Sequence, residues 1–332
     1  MNLKYFLLVS MLAFSYVLDT QAAIPEAPER DAFTTLMVDK HQFDPEVIEQ
    51  ILQNAEIKPQ ILQAMNKPAE ALPWYKYRAI FMTEKRIAAG VKFWQDNNAT
   101  LTTVSQQTGV PAEIIVAIIG VETHYGINMG NHRVLDALAT LGFGYPKRSA
   151  FFLSELENFL LLCREEHLDP LLPLGSYAGA MGMPQFMPSS YRNFAVDYEQ
   201  DNHRDIWKNP ADSIASVANY FVKHGWQTQE SIFIAASADD LNYKSALNDS
   251  LELQLSSSDL SRFGIKSAEN LKPDARFKLL ALQLEQSDEL WLGLHNFYVL
   301  TRYNRSPLYA MAVYQLSQAI ADRINPRFGD KL

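Results

Sequence analysis

Glu122 stands where a carboxylate is least expected. It closes the run Ile114-Ile-Val-Ala-Ile-Ile-Gly-Val121, almost wholly apolar, and precedes Thr123-His-Tyr-Gly126. A carboxylate leaving such a segment is partly desolvated, which disfavours its charged form and raises its pKa. A general acid that works near neutral pH needs that shift. The alternative is a glutamate that emerges at a helix end to meet water or a lysine, and spacing alone does not separate the two. A second stretch is Ser176-Tyr-Ala-Gly-Ala-Met-Gly-Met-Pro-Gln-Phe-Met-Pro-Ser-Ser-Tyr191. Its small residues let backbone approach a ligand closely. Gln185 both donates and accepts, and Phe186 and Tyr191 offer flat apolar faces. That mixture suits a neutral, hydroxyl-rich ligand such as a glycan. It suits equally a tight connection whose Met and Phe fill core.

Three separated motifs share an order. They are Val121-Glu-Thr-His-Tyr-Gly126, Gly175 to Tyr191, and Arg302-Tyr-Asn-Arg-Ser306. In these the chain resembles the lytic murein transglycosylase B family, from about Pro73 to Gln318. The resemblance implies a mainly α, or α+β, fold. A lysozyme-like helical core would carry an N-terminal helical domain and a small β-rich insertion. It also implies cleavage of the β-1,4 bond between N-acetylmuramic acid and N-acetylglucosamine in peptidoglycan. The muramic acid's own C6 hydroxyl attacks, so a 1,6-anhydro end forms.

One carboxylate fits that chemistry. Ordinary glycosidases use two, one as acid and one as base or nucleophile. No second acid of comparable setting accompanies Glu122, and Asp136 in Arg133-Val-Leu-Asp136 reads as a helix cap or ion-pair partner. An intramolecular nucleophile removes the need to activate water. The resemblance further assigns Ser176 to orienting the N-acetyl group or the carboxylate, and Gln185 and Phe186 to glycan contact. It places Tyr303 and Asn304 beside the acid and Tyr309 as a further aromatic in the groove. Tyr77 becomes an active-site tyrosine and Tyr220 part of the groove wall, with core packing the open alternative for both. Two other functions stay in view, a hydrolytic muramidase on the same fold and a non-catalytic peptidoglycan-binding scaffold.

Asp197-Tyr-Glu199-Gln-Asp201-Asn-His203-Arg-Asp205 puts acids at positions 1, 3, 5 and 9 of an EF-hand-like loop. Hard cations take oxygen ligands at such alternate positions, plus a backbone carbonyl at the seventh, here His203. Asn202 holds the turn position usually given to glycine, and Lys208 stands where a bidentate Glu belongs. By the resemblance, Asp212 closes the loop, which runs over 197–212. A structural calcium ion on Asp197, Glu199, Asp201, His203 and Asp212 and a solvated acidic loop are the two readings. No cofactor for catalysis is expected, because histidine spacing offers no zinc motif and glycine spacing no phosphate loop.

The elements that must position these residues read mostly as helices. Residues 24–30 look like a loose leader. Short helices punctuated by Pro45, Pro59 and Pro68 follow from Phe33, with Asp44-Pro45 a capped start. Longer helices are expected over 83–108, from Pro111 with Glu113 in its first turn, over 149–168, over 211–224 and over 306–324. Cys163 falls on the apolar stripe of the third of these, so it reads as an inert core residue. Leu251–Leu255, Phe277–Leu284 and Leu290–Leu294 look strand-like. The expected division is 1–23 signal peptide, 24–110 N-terminal helical domain, 111–229 catalytic core, 230–290 β-rich insertion and 291–332 return to the core.

The 332 residues are 48% hydrophobic and 11% aromatic with a net charge of −9, which excludes a disordered chain and argues against nucleic acid. A single cysteine excludes an intrachain disulfide. Lys4, an apolar stretch from Tyr5 to Leu18 and Thr20-Gln-Ala-Ala23 read as an export signal, with an uncleaved anchor the alternative. No cysteine marks a lipid attachment point. A periplasmic monomer is expected, soluble or loosely membrane-associated. Its partners would be peptidoglycan glycan strands, with cell-wall synthesis or remodelling proteins as further candidates.

Overall fold

The computed structural model describes residues 22–23, 28–66 and 72–326. The export signal therefore lies outside the described residues, apart from Ala22–Ala23 (β1), which pairs antiparallel with Glu56–Ile57 (β2). Residues 28–30, expected as leader, already belong to the first helix.

Proline sets many helix starts. The helices Pro28–His41 (α1), Pro45–Gln53 (α2) and Pro59–Ala64 (α3) each begin on one, as do three later helices. Its fixed φ suits the first turn and its missing N–H is no loss there. Asp44 caps α2 as expected, accepting from the Glu46 amide at 2.8 Å. Trp74–Phe81 (α4) follows. The single helix expected over 83–108 is two, Glu84–Asp96 (α5) and Asn98–Thr108 (α6). The break falls at Asn97, whose side chain donates to the Phe93 carbonyl at 2.9 Å. Asparagine competes in this way for backbone partners and favours a break.

Ala112–Thr123 (α7) is the hub. Every residue from Ile114 to Gly120 is buried. A helix apolar on all sides must be enclosed on all sides. α7 is packed by α5, α6, Pro210–Lys223 (α11) and Pro307–Ile324 (α14). Between α7 and α11 run Val134–Gly144 (α8), Ser149–Glu165 (α9) and Pro188–Phe194 (α10), with a two-residue pairing of His132–Arg133 (β3) on Leu174–Gly175 (β4). Asp136 meets its expected ion pair, with Arg133 Nε at 2.8 Å. Cys163 is buried and its thiol is pushed up to about 12, burial being the main cause.

The β module is a four-stranded antiparallel sheet in the order β6-β5-β8-β7. Its strands are Phe233–Ala238 (β5), Ile265–Ser267 (β6), Lys278–Gln283 (β7) and Asp288–Gly293 (β8). Its own core joins Ile234, Tyr243, Leu260, Phe277, Leu279 and Leu292. Two expected strands are present, but Leu251–Leu255 is not one. Only Leu255 pairs there, in an isolated bridge with Phe277. The Ser250 amide donates to Asn248 Oδ1 and the Glu252 amide to Ser250 Oγ, so side chains take the partners a ladder would use. A short helix, Ser257–Arg262 (α12), and then His295–Tyr303 (α13) complete the chain order. Among the described residues no single helix is long and apolar enough to cross a membrane.

Candidate active site

The chain reverses abruptly just past Glu122. His124 and Tyr125 both adopt left-handed backbone, with φ of 52° and 61°, and Gly126 follows at 86°. Two consecutive non-glycine residues in that region store strain, which persists only where surrounding bonds fix it. Here the His124 amide bonds the Gly120 carbonyl at 3.1 Å and the Tyr125 amide the Ile119 carbonyl at 3.2 Å. Glu122 is thus delivered by the end of a rigid, buried helix into a tight turn.

The residue is half-buried, and protein closes around its carboxyl group. Burial raises its pKa from 4.5 to about 7, against the opposing effect of a hydrogen bond from Tyr309. The Tyr309 hydroxyl donates to Glu122 Oε1 at 2.6 Å. Tyr309 is 2% exposed, and burial, then the Glu122 charge, hold its own pKa well above the ordinary value, so it stays a donor. No second carboxylate contributes to the Glu122 shift among the described residues.

Aromatic rings back this pair. Phe186, Tyr220 and Tyr303 pack together, with ring centroids 4.7 to 6.0 Å apart. The Tyr303 hydroxyl donates to the Pro184 carbonyl and the Tyr220 hydroxyl to the Arg302 carbonyl, each at 2.6 Å. Tyr77 is buried between Trp74 and Phe81 and lies near enough to Tyr309 to raise its pKa.

Several expectations change in detail. Tyr309, expected as a groove aromatic, donates its hydroxyl to Glu122. Tyr303, expected beside the acid, is close enough for the Glu122 charge to add to burial in raising its pKa, and its hydroxyl is taken by the Pro184 carbonyl. Phe186 is 2% exposed and Tyr191 is fully buried, so neither ring offers a face to a glycan. Tyr191 instead donates to the Arg204 carbonyl at 2.6 Å. The glycines of the 175–191 loop make room for protein, not ligand. A Cβ on Gly182 would sit 2.5 Å from the Ile206 carbonyl oxygen, and one on Gly179 2.5 Å from Leu138. Gln185, with φ of 51°, donates to the Met129 and Gly182 carbonyls at 3.2 and 3.0 Å. Ser176 Oγ accepts from the Ala180 and Ala178 amides at 3.0 and 3.3 Å. Asn304 ends α13, half-exposed. Sequence reading missed Thr123, whose hydroxyl reaches the Met183 carbonyl, and only its place next to Glu122 could have suggested it. A cavity of about 1040 Å³ opens between Gln227, Glu269, Arg276 and Tyr298, but none of the Glu122 cluster lines it.

The transglycosylase SLT domain family matches residues 26–318. The chain belongs to that family. Among the transglycosylases, membrane-bound lytic murein transglycosylase B of Escherichia coli K12 is 42% identical over 304 residues, covering 89% of this chain and 83% of that protein. The crystal structure of soluble lytic transglycosylase SltB1 from Pseudomonas aeruginosa has a TM-score of 0.86 and 45% identity, over 90% of this chain and 99% of that one. Escherichia coli lytic transglycosylase Slt35, solved in complex with calcium, has a TM-score of 0.83 and 43% identity, over 89% and 93%. The helical core is thus the lysozyme-like fold of these enzymes.

The acidic loop is less ready for a cation than its spacing implied. Among the described residues no group of three or more His, Cys, Asp or Glu forms a cage. Asp197 accepts from the Asn202 and Asp201 amides at 2.8 and 3.1 Å, and Glu199 from Asn209 Nδ2 at 2.8 Å. Asp212, 1% exposed, accepts from the Tyr198 and Asp205 amides, each at 2.8 Å. The imidazole of His203 faces Glu166 at 3.4 Å, which leaves its backbone carbonyl for the seventh position. Burial, with the charges of Asp197 and Asp201 adding to it, raises Asp212 above the ordinary carboxylate value. Oxygen ligands are the type a hard cation takes, but here they are engaged by amide donors.

Proposed function

We propose that this transglycosylase cleaves the bond between N-acetylmuramic acid and N-acetylglucosamine in peptidoglycan and leaves a 1,6-anhydro end. The observation that carries the reading is the Glu122 carboxyl, raised to about 7 by burial and held by the Tyr309 hydroxyl, with no second carboxylate among the described residues contributing to that shift. Protonated Glu122 donates to the glycosidic oxygen as the bond from the anomeric carbon breaks. The C6 hydroxyl oxygen then bonds that carbon, and its proton passes to the Glu122 carboxylate. The acid ends as it began. Such acid–base assistance is worth roughly 10²–10⁴ in rate. The Tyr309 hydrogen bond favours the carboxylate formed between the two steps.

Glycan contact in this reading falls to Ser176, Gln185, Asn304, Tyr77 and the accessible edges of Tyr220 and Tyr303. Ser176 and Gln185 are held by the loop backbone and so are preorganised for a ligand. Phe186 packs on the rings of Tyr220 and Tyr303. A calcium ion on Asp197, Glu199, Asp201, the His203 carbonyl and Asp212 would brace the loop that Tyr191 ties to α10. Support for it comes from the mutually repelling acids and from the calcium complex of Slt35. Export to the periplasm rests on the sequence of residues 1–23.

Muropeptide masses test the reaction. Sacculi digested by the protein should release fragments one water lighter than a muramidase gives. Hydrated reducing ends as the sole product would replace this reading with the hydrolytic one.

A further inference from the structure

Thr123 follows the acid in sequence and is 1% exposed. Its hydroxyl oxygen lies 3.0 Å from the Met183 carbonyl and 3.2 Å from the Ile119 carbonyl, and it accepts from the Gly126 amide at 3.0 Å. The Ile119 contact is the local bond open to any threonine in a helix. The Met183 contact spans 60 residues of chain. The Gly126 amide belongs to the strained turn that re-aims the chain past Glu122. The next carbonyl of the loop, on Pro184, receives the Tyr303 hydroxyl. The loop is also held behind, where the Met183 amide donates to the Ile206 carbonyl at 2.8 Å. Two successive carbonyls are therefore gripped, one from the acid's own helix end and one from α13.

We propose that Thr123 is a positioning residue. Its hydroxyl ties the turn after Glu122 to the Met183–Pro184 segment and so sets where the acid delivers its proton. This inference rests on Glu122 being the acid. Valine keeps the shape of threonine but leaves the Met183 carbonyl and the Gly126 amide without that partner. Displacement of a reacting group by about 1 Å can cost about 10²-fold.

The test compares Thr123→Val, Thr123→Ser, Thr123→Ala and Glu122→Gln as full chains on a soluble peptidoglycan fragment. Thr123→Val should lower kcat about 30- to 100-fold with KM held within about threefold. The alkaline limb of its pH profile should move to lower pH as the carboxylate gains water. Thr123→Ser keeps the hydroxyl and should stay within about threefold of wild type, well above Thr123→Ala. The alanine variant carries the comparison where valine prevents folding. Equal kcat for serine and alanine would overturn the inference, as would a fall in Tm with kcat and pH profile intact. A dead Glu122→Gln beside a Thr123→Val of wild-type kcat overturns this inference alone. Turnover retained in Glu122→Gln overturns the acid assignment with it.

Discussion

Tyr309→Phe removes one oxygen from the acid's surroundings and little else. Burial and the Tyr309 hydrogen bond act on Glu122 in opposite directions, and burial wins, giving about 7. The bond at 2.6 Å favours the charged carboxylate, so its loss leaves burial unopposed and the pKa rises further. Hydrogen bonds to charged groups are worth about 1.5–3 kcal/mol, and one pH unit corresponds to about 1.36 kcal/mol. Part of that bond survives on the protonated acid, so the shift should be about 1 pH unit upward. A general acid must be protonated to act, so the alkaline limb of kcat/KM follows this pKa. The assay is the initial rate of soluble fragment release across about pH 4 to about pH 9 at several substrate concentrations. The plateau should fall, because the acid loses its orienting partner, while the alkaline limb moves up. An unmoved limb, or one moved to lower pH, would refute the account of what sets the acid's proton affinity.

Glu122→Gln should be inactive yet more stable at alkaline pH. The folded pKa of Glu122 lies above its ordinary 4.5, so its contribution is full below about 4.5 and lost as pH rises through about 7. At 1.36 kcal/mol per pH unit the gain is at most about 3 kcal/mol at pH 8 and near zero at pH 4, read from denaturant midpoints. Gly182→Ala combines a φ of 67° with a Cβ 2.5 Å from the Ile206 carbonyl oxygen, so thermal melting should show a loss of about 2–4 kcal/mol. Calcium at about 100 times its Kd should stabilise the wild type by about 2.7 kcal/mol, with the thermal shift lost in Asp201→Ala. Asp201 suits this better than Asp212, whose two amide partners would be lost with it.

The acid was legible because an apolar helix ends on it. Ile114 to Val121 leave no polar face, so whatever follows must surface from inside the protein. The roles of Tyr303 and Tyr309 were not separable, because they sit on two helices joined by a bend at Asn304–Ser306. Both feel the Glu122 charge, and which hydroxyl donates to it depends on the angle of that bend. The glycines were legible as sites of close approach, but sequence does not say what approaches. Ile206 and Leu138 fill the space that a ligand was expected to use. β5 was missed because Phe233-Ile-Ala-Ala-Ser-Ala238 has neither alternation nor many branched residues. Its place between β6 and β8 comes from tertiary pairing.

The surroundings of Glu122 are poor in positive charge, and that follows from the same packing. A cation beside the carboxylate would pull its pKa down and leave it unprotonated when needed. Arg86 is turned aside, its guanidinium donating to the Gly120 carbonyl at 2.5 Å and lying over Phe81 at 5.2 Å. His124, two residues past the acid, has its pKa lowered, first by burial and then by Arg86 and Lys85, and is neutral near neutral pH. In the proposed reaction, positive charge grows on the sugar as the glycosidic bond breaks, while negative charge grows on Glu122. Among the described residues no cation contributes to the Glu122 shift, so in a site of reduced polarity those two charges would attract each other across a short distance. The net charge of −9 does not oppose this, because a carboxylate-bearing polymer must in any case be held by short-range contacts in the groove. In the proposed reaction burial would therefore do two things at once: keep the proton on Glu122 beforehand and strengthen the ion pair that replaces it.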